Sequence, residues 1–230
     1  MKKHIPNTIT CLNLFSGCIG VLFALKGDYM TAAYCVLASG IFDFFDGMVA
    51  RLLHVKSTIG KELDSLADMI SFGFLPGVIL YTLLTKVFPN EPISIVAYLG
   101  FVVTVFSALR LAKFNLDERQ TTDFIGLNTP MNTFYVLSLP FIAQKYPQII
   151  LNPYFLLISI ALTSYLLISE IKLFSMKLSS LSWSENKFKF IFVILAITLF
   201  AIFQFVALPL ILLIYILLSI VHFNYTKEKG

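Results

Sequence analysis

Long apolar runs separated by short polar turns fill almost the whole chain, at 9–25, 29–53, 60–85, 93–114, 129–144, 150–169, 188–206 and 208–223. A helix needs about 20 apolar residues to cross a hydrocarbon core of about 30 Å, so these runs predict membrane-spanning helices. The fifth and eighth are short, and the last two are separated only by a turn expected around Pro209. Phe188–Phe223 is too long for one helix and predicts a tight helical hairpin. The expected fold is an all-α integral membrane protein: a polytopic bundle of about eight transmembrane helices, six in the core plus a terminal hairpin. We divide the chain into a membrane domain at 1–180 and a C-terminal transmembrane hairpin at 181–230.

Composition agrees. The chain is 58% hydrophobic and 13% charged, against roughly 25% charged in soluble domains. Mean hydropathy is +0.85. The opening Met1–His4 runs straight into Pro6-Asn7-Thr8, which gives no expectation of a cleaved signal. Cys11, Cys18 and Cys35 lie in apolar runs and read as buried small hydrophobes.

The basic balance is a topology signal. Lys26, Lys86 and Lys145 fall on one side, and the other fourteen of the 17 Lys and Arg fall on the side of both termini. Positive charge collects in the cytoplasm. Both termini and the turn at 51–60 are therefore expected there, in the inner or plasma membrane if the source is bacterial. Outer links are expected at 27–28, 89–92 and 146–152. Scattered cations of this kind give no footprint for nucleic acid.

Against this background four carboxylates stand out: Asp43, Asp46, Asp64 and Asp68. Spacings of three and four put each pair on one helix face. The short turn at 52–59 makes the two helices antiparallel neighbours, so the carboxylates can converge near the cytoplasmic surface. Isolated carboxylates do not stay ionised in apolar surroundings; they pair, bind metal or take up protons. Hard oxygen donors suit Mg²⁺ or Mn²⁺, and two such ions can clamp a phosphoryl displacement. Gly47 and Ala50 leave room beside Asp46 for a ligand; for the glycines alone, small-residue packing between membrane helices is the better explanation, but it does not account for the four carboxylates.

The segment Asp43-x2-Asp46-Gly47-x2-Ala50-Arg51-x8-Gly60-x3-Asp64-x3-Asp68 resembles, at all eight fixed positions, the signature of the CDP-alcohol phosphotransferase family. The resemblance implies a membrane enzyme that exchanges CMP on a CDP-linked lipid for another alcohol. It implies that the four aspartates bind two divalent cations, Mn²⁺ or Mg²⁺, and that Asp68 is the general base. Asn7, Thr10, Gly47, Ala50, Arg51 and Ser57 would contact the CDP-lipid, Asn7 and Thr10 from a polar stretch, Pro6–Thr10, ahead of the first span. A homodimer is likewise expected from the resemblance alone.

Pro6-Asn7-x2-Thr10-x2-Asn13-Leu14-x2-Gly17, Ala108–Asn115 and Asp123–Pro130 resemble the phosphatidylserine synthase branch, with Asn128 standing where a proline is expected. The implied substrates are CDP-diacylglycerol and L-serine, among membrane lipids. Serine is a zwitterion, so its carboxylate calls for a cation; Arg110 is the first candidate, with Lys113, Asn115 and Thr129 beside it. Other acceptors, glycerol 3-phosphate or inositol phosphate, would use the same chemistry but want more cations than these. A cation-coupled transporter would need broken helices, midplane carboxylates and repeats. The aspartates here flank a turn, and no internal repeat is visible.

Overall fold

The computed structural model describes residues 4–55, 57–88, 95–119, 123–176 and 183–227. The expected outer link at 89–92, and Lys2, Lys3, Lys56, Lys177 and Lys229 of the charge argument, lie outside the described residues. The described residues are overwhelmingly helical, and five helical stretches are long and apolar enough to cross a membrane. The fold is an all-α polytopic membrane protein.

Helices α1 (His4–Leu25) and α2 (Tyr29–Leu52) form an antiparallel hairpin. Its turn is built by two residues. Gly27 takes a left-handed φ of 79°, which closes α1. Asp28 then caps α2, accepting from the Thr31 amide at 3.0 Å and the Thr31 hydroxyl at 2.7 Å. Those bonds hold its carboxyl below the usual aspartate range. The first helix starts earlier than its hydropathy suggested. Pro6–Thr10 is not a stretch ahead of the span but its first turns, because a proline in a first helical turn forfeits no hydrogen bond.

The third span is the axis of the bundle. It runs through α3 (Thr58–Asp68), a π-helical stretch (Met69–Phe74) and α4 (Leu75–Val87) as one 30-residue rod. Of its most apolar window 67% is buried, against 28–33% for its neighbours, whose outer faces are apolar enough for lipid. The π stretch begins immediately after Asp68 and gives no hydropathy signal. Its wider turn bonds five residues apart, Leu75 amide to Ile70 carbonyl, and leaves carbonyls for other partners. Thr133 takes up the Phe72 carbonyl at 2.8 Å, and Thr104 that of Gly73 at 3.0 Å. Helix α1 presses against this stretch so closely that a Cβ at Gly17 would collide with Ser71 Oγ.

A 3₁₀ turn (Ile95–Phe101) leads into α5 (Val102–Leu116). Then come α6 (Thr129–Lys145), the single turn α7 (Pro147–Ile150) and α8 (Pro153–Ile168). A two-residue antiparallel ladder, absent from the all-helical expectation, pairs β1 (Phe124–Ile125) with β2 (Lys172–Leu173). With Leu127 N–H donating to Leu166 O at 2.8 Å, it ties the α5–α6 link to the end of α8. Asn128, where a proline was expected, caps α6 by accepting from the Met131 amide at 2.9 Å.

The terminal hairpin is α9 (Trp183–Phe203) and α10 (Leu208–Lys227). The break lies at the 3₁₀ turn Gln204–Ala207, with Gln204 at a left-handed φ of 50°, and not around Pro209. Pro209 sits in the first turn of α10, where its missing N–H costs nothing. Tyr215 anchors the hairpin by donating to the Phe174 carbonyl at 2.8 Å. The cysteines are also placed differently from expectation: Cys11 and Cys18 face outward and Cys35 is half-buried. In a bilayer the outer face of a helix is as apolar as its inner face, so an apolar residue carries no preference for the core.

Candidate active site

Helices α2 and α3 bring their carboxylates together beside the first turns of α1. Asp43, Asp64 and Asp68 each offer an oxygen within 4.8 Å of the others. Asp46 is held apart from this trio: Thr10 on α1 donates to its Oδ2 at 2.6 Å. One turn along α1, Asn13 Nδ2 donates to Asp68 Oδ1 at 3.1 Å. Sequence reasoning gave Thr10 a lipid contact and Asn13 no role. The signal was their spacing, since polar residues at i and i+3 of an apolar helix share one face. Asn13 is in turn fixed by Ser71, which donates to its Oδ1 at 2.7 Å, and by Ser39, which donates to its carbonyl at 3.1 Å.

The trio fits a divalent cation. Asp64 Oδ1 is buried with no hydrogen-bond partner, which is costly for a carboxylate oxygen unless a cation supplies the missing contact. All the donors are carboxylate oxygens, the set that hard divalent ions prefer.

Two cavities meet at the carboxylates. The first, of about 550 Å³, is lined by Asn7, Thr10, Asp46, Gly47, Ala50, Ser57, Lys61 and Asp64 among others. A Cβ on Gly47 would meet only Arg51 Nη1, at 3.7 Å, so the glycine leaves open space and Arg51 folds over it. Gly60 lets Asn7 approach: a Cβ there would lie 3.0 Å from Asn7 Oδ1. Ser57 lines the same cavity while its hydroxyl accepts from the Gly60 amide at 3.1 Å, capping α3.

The second cavity, of about 460 Å³, holds all four aspartates in its wall together with Arg110, Asn115, Asn128 and Thr129. Asp46, Gly47 and Asp64 line both cavities, whereas Asp43 and Asp68 line only the second. Arg110 is 4% exposed and donates through Nε to Leu127 O at 3.2 Å. It is the one cationic side chain among the described lining residues. Asn115 donates to Ser65 Oγ at 2.8 Å, and Thr129 is buried with its carbonyl accepting from Thr133 at 2.9 Å. Lys113 is not brought to this cavity. It points to the surface and lies 3.5 Å from Glu170, which also meets Arg119 at 3.4 Å. Lys113 stands two positions before Asn115 on α5, a spacing that turns it to a different direction, which residue type alone does not reveal.

The chain is similar to proteins of known activity over most of its length. It is 33% identical over 170 residues to a CDP-diacylglycerol–serine O-phosphatidyltransferase of Bacillus subtilis, a match spanning 74% of this chain and 89% of that protein. A protein of the same description from Helicobacter pylori is 31% identical over 228 residues, spanning 97% of this chain and 92% of its own. One from Saccharomyces cerevisiae is 34% identical over 158 residues, 62% of this chain and 55% of its own. The sequence pattern of the CDP-alcohol phosphatidyltransferases matches residues 3–223. With the carboxylates, the paired cavities and that match together, the chain belongs to the CDP-alcohol phosphatidyltransferase family.

Proposed function

We propose that this transferase moves a phosphatidyl group from CDP-diacylglycerol to the hydroxyl of L-serine, giving phosphatidylserine and CMP. The observation that carries the reading is the pair of cavities sharing Asp46, Gly47 and Asp64, with Arg110 the described cation of the second. The first cavity suits the CDP headgroup. Gly47 gives phosphates access to the backbone, and Arg51 and Lys61 stand nearby as cations. The second suits the acceptor. Arg110 offers a planar fork to the serine carboxylate, and Asn115 and Thr129 offer polar atoms beside it. The relatives, CDP-diacylglycerol–serine O-phosphatidyltransferases, point to the same substrates.

Asp68 lines only the acceptor cavity, as a base for the serine hydroxyl must. It takes the hydroxyl proton as the serine oxygen forms a bond to the lipid-bearing phosphorus. The phosphorus–oxygen bond to CMP then breaks, and CMP leaves with the electron pair. Two divalent cations, Mn²⁺ or Mg²⁺, held by Asp43, Asp46, Asp64 and Asp68, would offset the pyrophosphate charge and stabilise the leaving group. The chain's own share is to position donor and acceptor on opposite sides of one carboxylate wall.

A phosphorylated acceptor is the weaker reading, because a phosphate monoester calls for several convergent cations and the described lining of the second cavity supplies Arg110. The site and both termini are assigned to the cytoplasm on the lysine and arginine bias, which also gives serine and CMP free exchange with water. A homodimer belongs to the same proposal and is tested by the mass of the detergent-solubilised protein.

The deciding experiment is purified protein with CDP-diacylglycerol and Mn²⁺, following CMP release and label transfer from serine. Serine-dependent CMP release is the expected result. Release with glycerol 3-phosphate but not with serine would sink the assignment.

A further inference from the structure

Three cavities meet along one edge of α6. The acceptor cavity uses Pro130 and Met131 as one wall. A cavity of about 420 Å³ between α2 and α6 is lined by Leu37, Gly40, Phe44, Pro130 and Phe134, and reaches Asp43. A third, of about 400 Å³, lies between α6 and the terminal hairpin, against Met131, Phe134, Ala196, Phe200, Ala201 and Ile211. Asp43 and Pro130 join the acceptor cavity to the α2–α6 cavity, Met131 joins the acceptor cavity to the hairpin cavity, and Phe134 joins the α2–α6 cavity to the hairpin cavity. Asp43 apart, every residue lining the α2–α6 and hairpin cavities is apolar.

We propose that this groove is an acyl-chain subsite in which a fatty-acyl chain of the donor lipid leaves Asp43, passes Phe134 and ends against α9–α10. The inference rests on CDP-diacylglycerol as donor. Its occupant is fixed by the two ends: the Asp43 carboxylate of the active site at one, and an apolar pocket against the terminal hairpin at the other. That combination takes a molecule with an anionic head and a hydrocarbon tail. A partner helix, about 10–12 Å across with its side chains, would not also reach a carboxylate at the active site. Small residues stand where the chain passes: Gly40 on α2, Ala196 and Ala201 on α9. Bilayer lipid is as apolar as the groove, so the groove adds little affinity and acts by shape. The terminal hairpin thereby becomes a gauge of acyl-chain length.

The test uses the full-length protein in mixed micelles with two donors, CDP-dioleoylglycerol and CDP-dioctanoylglycerol. Ala201→Phe narrows the hairpin end. It is expected to lower the long-to-short ratio of kcat/KM roughly tenfold, the scale of an overpacked site. Ile202→Phe, on a neighbouring position 64% exposed and outside the groove, should leave that ratio where it is. An unchanged ratio in Ala201→Phe, or an equal fall in both variants, overturns the proposal. A readout that needs no acceptor is photolabelling with a CDP-diacylglycerol carrying a diazirine at the acyl terminus. Label in peptides covering 196–211 supports the groove; label confined to other helices overturns it. Hairpin labelling without serine-dependent CMP release would remove the serine assignment and leave the groove standing.

Discussion

Asn13 on α1 donates through Nδ2 to Oδ1 of Asp68 on α3, at 3.1 Å. The amide cannot turn away, because its Oδ1 already accepts from Ser71 at 2.7 Å and the residue is fully buried. One carboxylate oxygen of the proposed base is thus pinned to α1, which orients the other. Removing a hydrogen bond to a charged group costs about 1.5–3 kcal/mol, or roughly 10–100-fold in rate if the geometry is needed only at the reacting step. Asn13→Ala is therefore expected to lower kcat by that factor with little change in the serine KM. Steady-state rates of CMP release check it. A variant with unchanged kcat would make the contact purely structural.

Thr10 does for Asp46 what Asn13 does for Asp68, donating at 2.6 Å from the same face of α1. Thr10→Val keeps the shape and leaves a buried carboxylate oxygen without that donor, at a cost of about 1–3 kcal/mol. A loss of kcat/KM for CDP-diacylglycerol of roughly tenfold is expected. Thr10→Ser, which restores the hydroxyl, should recover most of it. Failure of serine to rescue would point to methyl packing in place of the hydrogen bond.

The partnerless Asp64 Oδ1 predicts that metal acts on stability as well as on rate. A ligand at 100 times its Kd stabilises a protein by about 2.7 kcal/mol. Mn²⁺ should raise the Tm of the detergent-solubilised wild type after chelator treatment. Asp64→Asn and Asp43→Asn should lose most of that rise, since each removes a member of the converging trio. An equal rise in all three proteins would place the ion elsewhere.

The helices were legible where hydropathy sets them. All eight apolar segments have helical counterparts, because burial of backbone polar groups in lipid permits little else. The convergence of Asp43, Asp64 and Asp68 was legible from helical spacing across a short turn. The roles of Asn13 and Ser71 were not, because they depend on how α1 lies across the third span. That approach is set by Gly17 against the π stretch, and a π stretch differs from an α-helix by one residue in its hydrogen-bond spacing without any change in composition. Lys113 misled for a related reason. Residue type made it a candidate, but its position on α5 sends it to Glu170.

Arg110 and Lys113, three positions apart, separate the two roles a basic residue can have here. Lys113 makes an exposed ion pair with Glu170, and such pairs contribute about 0–1 kcal/mol. Lys113→Gln should therefore leave the serine KM within about twofold. Arg110 is buried in the acceptor wall, so Arg110→Gln should raise the serine KM roughly 10–100-fold, the scale of a lost charge-assisted hydrogen bond. Arg110→Lys should rescue only partly, because an ammonium lacks the planar fork and cannot also keep the geometry of the Nε bond to Leu127 O. Ethanolamine separates recognition from folding, since it is serine without the carboxylate. Wild type should prefer serine strongly, and Arg110→Gln should narrow that preference while its weak rate with ethanolamine persists. If both rates fall together, Arg110 supports the α5–α6 link through Leu127 and the carboxylate is held by another group.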